Sequence, residues 1–177
     1  GQYLMNIGIV GSGRIGGNLG KLWAAKGHRV LFGVRDLNGD KALELTAFEG
    51  DTQVGSLTEA VAFGEVIVVA VPWPAIEEVV ANTGDWSGKT IIDATNRFGP
   101  ASRERATSAA EDLADMVPSA KVFKAFNTIG FDRLARPKFG TQNASMFICG
   151  DDPAAKSVVS SLVSELGFEV IDSGPLG

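Results

Sequence analysis

The stretch "GIVGSGRIGG", residues 8–17, decides the fold, because it sets five glycines where a short apolar run passes into an amphipathic segment. Glycine inside regular structure costs about 0.5–1 kcal/mol relative to alanine, so such a cluster marks a place where something must come close to the main chain. Gly11, Gly13 and Gly16 make the pattern G-x-G-x-x-G directly after "NIGIV", and Ile15, Leu19, Leu22 and Trp23 follow at helical spacing. A strand before and a helix after are what give this pattern meaning. In that context Gly11 permits the tight turn, Gly13 lets a phosphate approach the backbone, and Gly16 allows the helix to pack closely on the strand. The amides at the helix start then face the anion, and a dinucleotide diphosphate is the expected visitor.

Outward from this turn, short Val- and Ile-rich runs alternate with longer amphipathic segments, the pattern of strands buried on both faces and joined by helical crossovers. Strands are predicted at 6–10, 29–34, 53–54 (weak), 66–71, 90–93, 122–126, 146–149 and 169–172. Helices fill most of the gaps. The first, residues 15–26, stops at Gly27, a left-handed terminator. Another, residues 75–80, has Pro74 in its first turn and Glu77 and Glu78 near the positive end of its dipole. A late helix opens at Asp152–Pro153 and closes at Gly167. The chain therefore reads as α/β, a doubly wound, mostly parallel sheet whose first six strands take the order 3-2-1-4-5-6, in a single domain over residues 5–177. Residues 1–4, "GQYL", read as a remnant ahead of Met5. Ligands of such sheets bind beyond the carboxyl ends of the strands, which selects residues 11–16, 33–36, 70–73, 93–97 and 126–130.

Composition narrows the partners. With 45% hydrophobic and 21% charged residues the chain is of globular type, and 177 residues suffice for one core. Its net charge of -5 and the absence of a basic run argue against nucleic acid. Runs such as "VIVVAV" are far shorter than the roughly 20 residues of a membrane span. Cys149, the single cysteine, rules out an internal disulfide or a cysteine metal cluster and is expected as a buried thiol. Without a secretory signal, a soluble cytoplasmic protein is expected.

The end of the second strand selects the nucleotide. An acidic residue there grips a ribose 2′-hydroxyl, whereas arginine accommodates a 2′-phosphate. Here the chain reads "LFGVRD", with Val34 at the acidic position and Arg35 next to it. A charge-assisted hydrogen bond is worth about 1.5–3 kcal/mol, a preference of roughly ten- to over a hundredfold for NADP over NAD. Asp36 either caps the following turn or binds the hydroxyl itself, and Lys41 is a weak second cation. His28, the only histidine, falls at the opposite end of the sheet and reads as structural. Asp93 and Lys124 make no convincing acid or base. A reaction that needs alignment more than side-chain chemistry fits best, namely hydride passing between a nicotinamide and a flat, flavin-like ring, with no catalytic side chain assigned.

The segments "IGIVGSGRIGGNLGKLWAAKGHRVLFGVRD", "VVAVPWPAIEEVV", "TIIDATN", "KAFNTIG" and "MFICGDDPAAKSVVSSLVSELGFEVIDSGPL" together resemble the NADP oxidoreductases dependent on the deazaflavin coenzyme F-420. That family is similar in turn to the cytoplasmic domain of the STEAP metalloreductases. The resemblance implies a Rossmann NAD(P)-binding fold with Ser12, Gly13, Arg14 and Ile15 on the NADP pyrophosphate and Arg35 on the 2′-phosphate. It also implies that Val71, Pro72, Thr95 and Asn96 border the cofactor and that Asn127 and Thr128 lie near the nicotinamide. The second substrate implied is coenzyme F-420, FMN or FAD, and the implied assembly is a homodimer. The chain carries Val34 where the family often has serine, and Asn127 where members known to use the deazaflavin can carry histidine. Two other readings stand beside this one: a β-hydroxyacid dehydrogenase or imine reductase relative, which would need an extra helical domain, and an NADPH-binding module without turnover.

Overall fold

The computed structural model describes residues 3–11, 13–72, 75–95, 109–126, 138–139 and 142–176. Six parallel strands form one sheet in the order β3-β2-β1-β4-β5-β6. They are β1 (Asn6–Val10), β2 (Arg29–Gly33), β3 (Thr52–Gly55), β4 (Val66–Val69), β5 (Thr90–Asp93) and β6 (Lys121–Lys124). This is the predicted doubly wound order, with its reversal between β1 and β4.

Helices cover both faces because the strand residues alternate between two apolar surfaces. Ile7, Ile9, Val30, Phe32, Val66, Val68, Ile92 and Phe123 share one cluster with α1 (Arg14–Ala25), α2 (Asp40–Thr46) and α6 (Pro153–Glu165). Val10, Leu31, Ile67, Val69, Ile91 and Val122 share the other with α3 (Leu57–Phe63), α4 (Ile76–Asn82) and α5 (Ala109–Met116). Gly8 belongs to this second face: a Cβ there would run into the Ala60 carbonyl, so its absence lets α3 lie against β1.

Local chemistry accounts for the helix ends. Asp152 Oδ1 accepts from the Ala155 N–H at 2.8 Å with Pro153 next in line, and Gly167 takes φ +94 after the helix, as predicted. Gly27 takes φ +100 beyond α1, which runs one residue earlier at each end than the predicted 15–26. The start of α3 is a capping box: Ser56 Oγ accepts from the Glu59 N–H at 3.0 Å while Glu59 Oε1 accepts from the Ser56 N–H at 3.4 Å. Pro74, the expected opening of α4, lies outside the described residues.

Several predicted boundaries shift for identifiable reasons. β4 ends at Val69 rather than residue 71, because the next residues turn across the glycine-rich loop. β6 ends at Lys124 rather than 126, because Phe126 adopts φ 67. The last two strands, β9 (Ser145–Ile148) and β10 (Glu169–Asp172), pair in parallel as a separate sheet that meets β6 through the antiparallel bridge Lys124–Cys149. A short antiparallel pair, β7 (Lys138–Phe139) and β8 (Gln142–Asn143), precedes them. Cys149, expected as buried, is half-buried, since this bridge lies at the margin of the sheet.

His28 is structural, as its position suggested. It is fully buried ahead of β2, its Nδ1 accepts from the Met5 N–H at 3.0 Å, and its Nε2 donates to Glu165 Oε2 at 2.6 Å. These bonds tie the chain start and the end of α6 to the amino edge of the sheet.

Candidate functional site

Strand register builds the site. Gly33 stands opposite Val10, Val10 opposite Val69, Val69 opposite Asp93, and Asp93 opposite Lys124. Five strands therefore end in one row, and whatever follows each last residue lines one edge. That edge carries the predicted Gly11, Gly13, Arg14, Ile15, Gly16, Arg35, Val71, Pro72 and Thr95. Ser12, Asn96, Asn127 and Thr128 lie outside the described residues.

The glycines divide the work among themselves. Gly11 takes φ +99, and a Cβ on it would sit 2.7 Å from the Ala70 carbonyl oxygen and 2.9 Å from the Val71 nitrogen. Only glycine combines that conformation with that contact. A Cβ on Gly16 would run into the Gly11 carbonyl and lie 3.1 Å from Ile9 Cγ2 and 3.3 Å from Ala70 Cβ, so this glycine seats α1 on β1. Gly13 differs from both. It is the N-cap of α1 with ordinary extended backbone, φ -69 and ψ -166, and a Cβ there meets no described atom within 4 Å. Among the described residues nothing packs on the bare backbone at Gly13; this space lies at the positive end of a helix, where first-turn amides point outward.

Around this opening Arg14 is exposed, its carbonyl accepting from Asn18 Nδ2 at 2.6 Å, and Ile15 is half-buried. On the β2 side Val34 is buried while Arg35 is exposed. Asp36 has the turn role: its Oδ1 accepts from the Asn38 N–H at 3.0 Å. Lys41 is exposed in the first turn of α2. On the β5 side Asp93 is fully buried, and its Oδ1 accepts from the Thr95 N–H at 2.8 Å, folding a turn at the strand end. That bond gives Asp93 a structural task at the edge.

Sequence reasoning overlooked a shared feature of these strand ends. β4, β5 and β6 are each followed by alanine, at 70, 94 and 125. The N–H groups of all three donate backward to the neighbouring strand: Ala70 to Val10 at 2.9 Å, Ala94 to Val69 at 2.9 Å and Ala125 to Asp93 at 3.3 Å. The recurrence of alanine after three apolar runs was the available signal, and Ala94 and Ala125 are buried as part of the core at these strand ends. Among the described residues no group of three or more His, Cys, Asp or Glu side chains could hold a metal ion, and no helix is long and apolar enough to cross a membrane.

Residues 6–97, half of the chain, match the model of the family described as NADP oxidoreductase, coenzyme F420-dependent. The metalloreductase STEAP3 of Rattus norvegicus is 34% identical over 171 residues, which cover 96% of this chain and 34% of that protein. The chain thus spans about a third of the length of this curated relative. Among solved structures, a candidate F420-dependent NADP-reductase from Arthrobacter sp. FB24 is similar, with a TM-score of 0.85 at 25% identity, covering 97% of this chain and 86% of that one. A hypothetical protein from Sinorhizobium meliloti is similar too, with a TM-score of 0.83 at 31% identity over 98% of this chain and 86% of its own.

Proposed function

Because the chain belongs to the NADP oxidoreductase, coenzyme F420-dependent family, we propose that it binds NADPH along the carboxyl edge of its sheet and exchanges hydride with a flat acceptor of the deazaflavin or flavin class, coenzyme F-420, FMN or FAD. The observation that carries the reading is the open space over Gly13 at the start of α1, with Arg35 exposed at the end of the neighbouring strand.

The residues fit the nucleotide in both chemistry and shape. Gly13 and the first-turn amides offer donors to the diphosphate without a side chain in the way, and the dipole of the twelve-residue α1 favours that charge. Arg35 presents its fork to the 2′-phosphate. Buried Val34 stands where a carboxylate would hold a free hydroxyl and repel a phosphate. Val71, Pro72 and Thr95, with Ser12, Asn96, Asn127 and Thr128 assigned by family resemblance, border the rest of the cofactor. Bound NADPH supplies the hydride. The chain's part is to align two rings along the carboxyl edge of the sheet and keep water from between them, which is where the rate gain of such a reaction originates.

Calorimetric titration of wild type and Arg35→Ala with NADPH and NADH tests the cofactor. Wild type should prefer NADPH, and the variant should lose about ten- to over a hundredfold of NADPH affinity, the worth of one charge-assisted hydrogen bond, with little change for NADH. Equal wild-type affinity for the two nucleotides overturns the assignment. Absorbance assays of NADPH oxidation with coenzyme F-420, FMN and FAD test the acceptor. Tight NADPH binding with no turnover on any of them would leave a binding module in place of an enzyme.

A further inference from the structure

Among the described residues seven glycines adopt positive φ, and one other residue does: Phe126, at φ 67. A bulky aromatic residue is disfavoured in this conformation and persists there only when its surroundings hold it. The surroundings do. Phe126 is 1% exposed, and its ring makes edge contacts with Trp23 at 6.0 Å and Phe168 at 6.2 Å between centroids. Its N–H donates to Met146 Sδ at 3.3 Å rather than to a carbonyl of a neighbouring strand. Trp23 is itself fastened, its Nε1 donating to the Leu162 carbonyl at 2.9 Å.

The location adds the meaning. In a sheet of this order the two mononucleotide halves of a dinucleotide lie on either side of the switch point between β1 and β4. With the 2′-phosphate end at β2, the nicotinamide half falls over β4, β5 and β6. Phe126 is the second residue past β6, and it packs on Trp23 of α1, the helix whose other end carries Gly13. One aromatic contact therefore joins the diphosphate helix to the strand end that closes the nicotinamide half.

We infer that Phe126 is a positioning residue for the nicotinamide half of the crevice, its pinned ring forcing the left-handed bend that sets the direction in which the chain leaves β6. The inference rests on the NADP reading given above. It separates Phe126 from an ordinary core phenylalanine, which has no reason to occupy a conformation that glycine serves elsewhere in this chain.

The test compares NADPH with 2′-phospho-ADP-ribose, which keeps the adenine, 2′-phosphate and diphosphate but lacks the nicotinamide. Both are titrated into wild type and Phe126→Ala, after circular dichroism and thermal melting show that the variant is folded. The expected result is a roughly tenfold loss of NADPH affinity, the size of one net hydrogen bond, with 2′-phospho-ADP-ribose held within about twofold. Should Phe126→Ala fail to fold, Phe168→Leu takes its place, loosening the ring from the side away from α1, and the same split is expected. Equal loss for both ligands, or loss for neither, overturns the inference while the NADP reading stands. Wild type that binds neither ligand overturns the NADP reading, and this inference with it.

Discussion

Gly13→Ala separates the demands of the fold from those of the ligand. In the protein alone the added methyl enters open space, since no described atom lies within 4 Å of it, and φ -69 with ψ -166 suits alanine. Two small terms then compete. Alanine restricts the unfolded chain, a gain of about 0.4–1 kcal/mol, and is a poorer N-cap than glycine by about the same amount. The melting temperature should move by no more than about 3 °C, given about 2–4 °C per kcal/mol for a chain of this size. NADPH binding should collapse, because on the proposed reading the methyl stands where the diphosphate would approach. Losing one or two charge-assisted hydrogen bonds of about 1.5–3 kcal/mol each lowers affinity at least tenfold and up to more than about ten-thousandfold. Gly16→Ala is the counterpart. Its methyl collides with the Gly11 carbonyl and crowds Ile9, so it should cost about 1–3 kcal/mol of stability, or several degrees of melting temperature. Differential scanning fluorimetry and calorimetric NADPH titration of the two variants supply the readouts. A Gly13→Ala protein that binds NADPH within twofold of wild type refutes the placement of the diphosphate.

Two further outcomes follow from local chemistry away from the site. Ser56→Ala removes one arm of the capping box at α3 and should cost about 1 kcal/mol in urea unfolding, with NADPH affinity unchanged. The Lys156 ammonium and the Gly174 N–H hold the Asp172 carboxyl below its ordinary value. A lowered folded pKa contributes stability that is complete above the unfolded value, about 3.9, and fades as pH falls through the folded one. Thermal melting of Asp172→Asn beside wild type should therefore show the wild-type advantage at pH 6 shrinking below about pH 4; an advantage that stays constant with pH would assign it to something other than this charge.

Turn chemistry was sufficient for the helix caps at Asp152 and Gly167, because these depend on residues a few positions apart, and the strand order followed from the alternation of strands and helices together with the fixed hand of their crossovers. The capping box at Ser56–Glu59 was legible by the same local rule and went unread. The glycine turn was likewise legible as a tight strand-to-helix turn, which is the basis of its proposed role toward phosphate. Tertiary structure alone decided which glycine faces the protein and which faces outward. Gly11 and Gly16 are bare because Ala70, Val71 and Ile9 crowd them, whereas Gly13 is bare toward open space. Tertiary structure also aligned the five strand ends in one row and held Phe126 in a bend that no propensity predicts. The physical reason is common to all of these. Each depends on contacts between segments far apart in the chain, and a contact fixed by packing leaves no periodic trace in the residues that make it.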